Sequence, residues 1–202
     1  MPSKARQIEP GVVYHIFNRR TDRQCLFPST RDFDKFLRLM KEGRRRYHVR
    51  CCAYCLMESH WHFALWAHDE MSIGRYLRWL ATIHAIRFRI ASGTRGQGHV
   101  YQDRYKSVTV RNVLHYLTLI RYIEANPLTA RLVTRAEDWR WSSLRERLSG
   151  RRQLIEEGPW PLPADWATIV NAAGPMLWLP LLLNRQMSTV AVDRAPSSLV
   201  HF

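Results

Sequence analysis

The sequence predicts an α+β domain with an antiparallel sheet, in the ferredoxin-like split βαβ arrangement. Runs of β-branched and aromatic residues alternate with two long segments whose apolar residues recur at helical spacing. The order is strand, helix, strand, strand, helix, strand, and only Glu58-Ser59 separates the two middle strands. This order places both helices on one face of the sheet.

Strands are predicted at residues 11–18, 49–57, 60–66 and 100–110. The first helix is predicted to begin at Ser29 or Thr30 and to end at Tyr47, and the second to run from a capping Ser72 to about Ala91. Apolar residues three and four apart in these segments supply their buried faces. His84 lies among them, which predicts a core histidine rather than a metal ligand.

A third helix is predicted from Asn112, a good N-cap, to Asn126, because Pro127 cannot continue it. Its expected buried face comprises Leu114, Leu117, Ile120 and Ile123. Farther along, Trp139 and Trp141 are expected to anchor a short helix at 142–148, followed by a linker at 149–163 and a last helix at 165–172. We therefore expect one domain at residues 1–150 and a partly helical extension at 151–202.

The chain of 202 residues carries a formal net charge of +14 and has a pI of about 10.4. Such a charge attracts phosphate backbones and favours nucleic acid over a membrane as the partner. Only four of the 31 basic residues are lysines, and the arginine fork suits bidentate phosphate contacts and base stacking. Arginine excess can also follow from genomic base composition.

The four cysteines do not form a disulfide framework in a chain of this length. Cys52 and Cys55 are three apart in a predicted strand, so they are expected on opposite faces, as buried free thiols in a reducing compartment. The first ten residues lack a signal peptide, and the apolar run 176–183 contains Pro180 and is too short to span a bilayer. A cytoplasmic protein is expected.

Two pairs of residues suggest chemistry. His60 and His62 are two apart in a strand, so they share a face and can bind one divalent cation. Tyr122 and Asn126 are four apart on a helix, so they also share a face, and they offer a phenol nucleophile and a ligand oxygen. From spacing alone, structural readings of these residues remain open. The histidines can be solvated or hydrogen-bonded strand residues, Asn126 can cap the helix end, and Tyr122 can lie at its rim.

Two basic segments are candidates for phosphate contacts. Gln102, Arg104 and Lys106 alternate along the predicted fourth strand and would align on one face, although a solvated strand face has the same pattern. Arg44, Arg45 and Arg46 end the first helix, where cations also favour the helix dipole.

Four separate motifs occur in order, namely Tyr14–Arg19, Leu56–His62, Gly98–Ser107 and Tyr122–Pro127, the last running on to Asp138–Ser143. Together they resemble the single-tyrosine transposases of the IS200-like HUH family, and more narrowly the REP-associated tyrosine transposases. The resemblance covers about residues 11–170. Two departures are the Glu58-Ser59 pair, where Pro-Asn is common, and the sequence after about residue 173.

The resemblance implies a DNA endonuclease and strand transferase that cuts single strands at hairpin-associated sites through a 5′-phosphotyrosine intermediate. It implies Tyr122 as the nucleophile and His60, His62 and Asn126 as ligands of Mg²⁺ or Mn²⁺. Single-stranded or hairpin DNA would be the partner of a nucleoid-associated monomer or homodimer. With the basic end of the first helix included, the candidate DNA-binding residues are Arg19, Gln102, Arg104, Lys106, Arg44, Arg45 and Arg46. The alternative is a catalytically degenerate protein that binds DNA or RNA hairpins.

Overall fold

The computed structural model describes residues 8–21 and 24–172. The predicted divergent sequence from about residue 173 onward lies outside these residues. The elements, in chain order, are β1 (Val13–Arg19), α1 (Thr30–Tyr47), β2 (Arg50–Leu56), β3 (His60–Trp66), α2 (Ser72–Ala91), β4 (Lys106–Val110), α3 (Val113–Thr129), a 3-10 turn (Ala136–Asp138), α4 (Ser143–Leu148) and α5 (Trp166–Asn171).

The four strands form one antiparallel sheet in the order β2-β3-β1-β4. The central pair is β1 with β3, in a register that sets Phe17 opposite His62 and His15 opposite Ala64. This is the predicted ferredoxin-like sheet. Because strand residues alternate faces, the register also decides which side chains of the two central strands meet.

One face of the sheet packs under α1 and α2. It carries Trp61, Phe63 and Leu65 of β3, all fully buried, as the alternation in that strand predicts. The two helices approach closely at Gly43, where an added Cβ would lie 2.7 Å from ring atoms of Trp79 and of Tyr76. His84 is buried in this core with its Nδ1 2.7 Å from the Tyr101 hydroxyl, which confirms it as a core histidine.

The opposite face of β2 and β3 is covered by α3, which also contacts α5. The fully buried Glu124 of α3 accepts hydrogen bonds from Ser143 Oγ (2.6 Å), Arg147 Nη2 (3.1 Å) and Trp166 Nε1 (2.7 Å). One carboxylate thus ties α3 to α4 and α5. Since charge-assisted bonds are stronger than neutral ones, this cluster fixes where α3 lies.

The helix α3 differs from its prediction in two ways. It begins after Asn112, whose side chain accepts from the His115 amide as expected, but it continues through Pro127 to Thr129. Proline removes only one N–H, and Ala130 N still bonds to the Asn126 carbonyl (2.9 Å), so the last turn survives. Leu114 is 44% exposed, because residues repeated every third position drift by about 60° per step around a helix.

The prediction of a fourth strand at residues 100–110 is wrong for its first half. Ladder pairing begins only at Lys106, opposite Phe17, whereas Tyr101 forms an isolated bridge with Arg20. The register shifts by two residues between these pairs, so residues 102–105 bulge out of the sheet. The buried Asn18 holds this bulge by donating to the Asp103 carbonyl (3.2 Å).

The start of α2 also differs from its prediction. The helix covers Ser72–Ala91 as expected, but Ser72 is its first residue and not its cap. The side chain of Asp69 accepts instead from the amides of Met71 (2.7 Å) and Ser72 (2.6 Å). An aspartate three residues earlier therefore satisfies the free amides of the first turn.

A register irregularity between Cys51 and Ala53 interrupts the alternation of β2. Cys51 therefore joins the α1/α2 core together with Tyr54 and Leu56, whereas Cys52 and Cys55 both lie toward α3. The prediction that these two face opposite sides is wrong. All three thiols are buried and free, as expected, and burial raises the pKa of Cys52 to about 12.

The segment after α3 packs on the sheet through the two predicted anchors. Trp139 Nε1 donates to the Leu56 carbonyl (2.9 Å), and Trp141 stacks on Phe33 with ring centroids 4.2 Å apart. The segment predicted as a linker also packs, because Leu154 and Ile155 are buried in the core. The described residues up to Ala172 belong to one compact unit. The division at residue 150 stays a prediction.

None of the helices within residues 8–21 and 24–172 is long and apolar enough to cross a membrane.

Candidate active site

Three histidines lie together on the sheet face opposite the α1/α2 core. His60 and His62 are on the same side of β3, with ring centroids 5.1 Å apart. His15 of the neighbouring strand β1 stacks on His62 at 5.3 Å. The structure thus brings the two predicted metal ligands together, and it adds a third imidazole from another strand.

Tyr122 of α3 meets this cluster edge-on. Its ring centroid lies 5.4 Å from that of His62 and 5.8 Å from that of His15. The side chain is 50% exposed, so one edge of the ring packs against imidazoles while the rest remains accessible. Because α3 packs on its own sheet, one chain supplies both the tyrosine and the histidines.

Each predicted histidine ligand has its Nδ1 engaged. The Ser59 hydroxyl lies 3.1 Å from His60 Nδ1, and His15 Nε2 lies 3.0 Å from His62 Nδ1. The Nε2 atom is then the remaining nitrogen of each ring. A partner on one ring nitrogen fixes the tautomer and the orientation of a metal-binding histidine, so Ser59 and His15 are placed to orient His60 and His62.

The imidazoles are neutral at neutral pH. Burial, together with the neighbouring His60 and His15, lowers the pKa of His62 to about 3. Burial and the nearby charge of Arg19 lower the pKa of His60, and burial lowers that of His15 to about 4. Neutral rings keep the lone pair that a metal ion needs.

Asn126 lies one helical turn after Tyr122 and is partly exposed. Its Nδ2 donates to the Tyr122 backbone carbonyl (2.8 Å), so its Oδ1 is the end left for another ligand. Within the part of the chain that the structure describes, no three His, Cys, Asp or Glu side chains group closely enough to hold a metal ion. Two neutral imidazoles and an amide oxygen nonetheless form a donor set that suits a divalent ion.

An open pocket of about 390 Å³ adjoins His60 and His62. Four of the predicted DNA-binding residues line it, namely Arg19, Gln102, Arg104 and Lys106. The Arg19 Nε also donates to the Gln102 side-chain oxygen. Gln102 and Arg104 reach the histidines because residues 102–105 bulge out of the sheet. The alternation expected of a continuous strand does not place them there. We refer to this cavity as the active-site pocket.

The other three predicted DNA-binding residues do not line this pocket. Arg44 donates to the carbonyls of Val49 (3.1 Å) and Gln153 (3.3 Å) and pairs with Glu156, so it serves the fold. Arg45 and Arg46 are exposed at the end of α1. A DNA contact there remains a prediction.

Sequence reasoning left His15 open and did not select Ser59. For His15 the available signal is its motif Tyr14–Arg19, but its contact with His62 depends on the register of β1 and β3. For Ser59 the signal is its position directly before His60.

Comparisons with known proteins identify the family of the chain. The model of the family described as "Transposase IS200 like" matches residues 10–126, which is more than half of the chain. A solved REP-associated tyrosine transposase, bound to a REP hairpin, shares the fold with a TM-score of 0.61 at 19% identity, covering 87% of this chain and 92% of its own. A putative transposase from Deinococcus radiodurans R1 aligns over 74% of this chain and 97% of its own at 14% identity, with a TM-score of 0.43. No curated protein matches the sequence. The chain belongs to the IS200-like transposase family.

Proposed function

We propose that this transposase is a metal-dependent single-strand DNA endonuclease and strand transferase that cuts at hairpin-associated sites. The observation that carries the proposal is the position of Tyr122, whose half-exposed ring lies 5.4 Å from that of His62. His62 and His60 in turn line an open basic pocket. A nucleophile next to two neutral imidazoles suits phosphoryl transfer. The REP-associated enzyme that shares the fold is bound to a REP hairpin, which supports hairpin DNA as the substrate here.

The proposed reaction begins with Tyr122 Oη attacking a phosphodiester. A new bond from Oη to phosphorus forms as the bond from phosphorus to the 3′ oxygen breaks, which leaves a 5′-phosphotyrosine link and a free 3′-hydroxyl. The phenol proton passes to solvent, since the side chain is half exposed, and the leaving 3′ oxygen takes a proton from solvent. Attack by a 3′-hydroxyl on the link reverses these bond changes and rejoins a strand.

The residues of this chain would bind the metal and the DNA. The donors that fit a divalent ion are Nε2 of His60, Nε2 of His62 and Oδ1 of Asn126, because the other polar atom of each side chain is already bonded. Bound there, Mg²⁺ or Mn²⁺ would supply positive charge to the phosphate oxygens. Arg104 and Lys106 in the same pocket would hold flanking phosphates.

A single subunit would suffice for cleavage, because Tyr122 and the histidines it contacts belong to one chain. The proposal therefore includes a monomer that acts through its own tyrosine.

A covalent adduct tests this proposal. The purified protein is incubated with single-stranded hairpin DNA from its own genomic flanks and Mn²⁺ or Mg²⁺, and the products are separated on a denaturing gel. We expect a protein–DNA adduct that Tyr122→Phe abolishes, with DNA affinity within a few-fold of wild type. Tight binding without an adduct under either metal would favour a degenerate hairpin-binding protein.

A further inference from the structure

A second pocket, of about 560 Å³, lies beside the active-site pocket. The two pockets share Asn18, Asp103 and Arg104 in their walls. A DNA strand that left the histidines and passed over this shared wall would reach the second pocket next. Because its far wall is the first half of helix α2, we call it the α2 pocket.

The inner wall of the α2 pocket is formed by Trp61, Leu77 and Tyr101, which are buried. The accessible apolar lining comes from Met71, which is 55% exposed, and from the half-buried Tyr105. These two side chains offer carbon and ring surface, on which an unpaired base can pack.

The rim of the pocket is charged. Arg75, Arg78 and Arg104 are exposed there, and none of them forms an ion pair with a carboxylate in the described part of the chain. Glu70 and Asp103 also line it. Arginines at the rim suit backbone phosphates, whereas carboxylates only accept hydrogen bonds and so favour a base that carries an amino group.

Gly74 forms part of the α2 wall in the first turn of the helix. A Cβ built there meets no described atom within 4 Å and would project into open space. Glycine in a helix costs about 0.5–1 kcal/mol relative to alanine. The surrounding described residues give no packing reason for this glycine, whereas a group that enters the pocket and lies close to the helix backbone would.

We propose that the α2 pocket binds one unpaired nucleotide next to the phosphodiester that the site cleaves, and that it thereby contributes to the choice of DNA sequence. This inference rests on the proposed function. The base packs on Met71 and Tyr105 against Gly74, and its backbone phosphate lies at the arginines of the rim. The base preferred is one with an amino group, namely adenine, cytosine or guanine rather than thymine.

A thermodynamic cycle between Gly74→Leu and abasic DNA tests the proposal. Leucine is a good helix former and its Cβ would meet no described neighbour, so the variant should fold with its longer side chain in the pocket. Hairpin DNAs carry an abasic site at each unpaired flanking nucleotide in turn, and affinities are measured by fluorescence anisotropy without metal. In the wild type we expect one position where loss of the base weakens binding roughly tenfold. Gly74→Leu should bind intact DNA more weakly by a similar factor and be insensitive to base loss at that position.

Additive effects of the two changes at every position, or wild-type affinity in Gly74→Leu, would overturn the proposal.

For the rim, Arg75→Gln and Arg78→Gln should each lower the salt dependence of binding. Arg87→Gln, which replaces an exposed arginine farther along α2, should not. An equal effect of all three would mean general attraction and no pocket. Since the cycle reads binding alone, it stands even if no covalent adduct forms with the wild type.

Discussion

Removing the Glu124 carboxylate should destabilise the whole domain through helix α3. The side chain is fully buried and accepts from Ser143, Arg147 and Trp166, which belong to the two helices that flank α3. Glu124→Ala leaves the hydroxyl, the indole N–H and one guanidinium bond without an acceptor. Arg147 Nη2 keeps only its bond to the Cys52 carbonyl (2.9 Å), and its Nε already has no partner among the described residues.

The size of the loss in stability follows from the polar groups that stay buried without a partner. Removing one partner of a buried ion pair costs about 3–5 kcal/mol, because the other charge is left unpaired. A domain has about 5–15 kcal/mol of total stability, so Glu124→Ala should be the most destabilising of the changes considered. Glu124→Gln keeps the shape but sets an amide group against one donor, which should cost about 1–3 kcal/mol.

The free energy of unfolding is measured by urea denaturation, with tryptophan fluorescence and circular dichroism as two probes. The control is Glu157→Gln, which breaks only the exposed ion pair with Arg152 (2.7 Å) and should leave the midpoint unchanged. If the free energy of unfolding of Glu124→Ala is less than about 1 kcal/mol below that of the wild type, this cluster does not hold α3 in place.

Four further substitutions test the site and the core. His15→Ala should weaken Mn²⁺ binding by about 10–100-fold in calorimetry, because His62 loses the partner that orients it; unchanged affinity would deny His15 that role. Arg104→Ala and Lys106→Ala should each lower the slope of log affinity against log salt by about 0.7 for single-stranded DNA, and an unaltered slope would place them off the DNA. Burial lowers the pKa of His84 to about 3, so below pH 6.5 the unfolded state binds more protons than the folded state. The free energy of unfolding should therefore fall as the pH drops from 6.5 toward 3, by up to about 1.4 kcal/mol per pH unit. His84→Asn should reduce that slope, and an equal slope in both proteins would contradict the assignment.

Local patterns in the sequence predicted the fold and much of the site. Alternation in β3 placed His60 and His62 on one face and Trp61 and Phe63 on the other, as the structure has them. Helical spacing placed Tyr122 and Asn126 one turn apart, and the end of α2 at Ala91 was predicted correctly. These features depend on residues close in sequence, whose geometry is fixed by the period of the strand or helix.

What the sequence did not predict depends on pairing between distant segments. The contact of His15 with His62 needs the register of β1 and β3, and the bulge at residues 102–105 needs the bond from Asn18 to the Asp103 carbonyl. The common side of Cys52 and Cys55 needs a register irregularity in β2. No local pattern encodes a register, so these features could be found only in the folded chain.

Identifying the residue that carries the covalent DNA link tests the central claim most directly. The adduct formed with hairpin DNA is digested with nuclease and protease, and the peptides are sequenced by mass spectrometry. We predict a nucleotide attached through its 5′-phosphate to Tyr122, in a peptide from helix α3. A nucleotide attached to any other residue, or joined through a 3′-phosphate, would contradict the proposed mechanism.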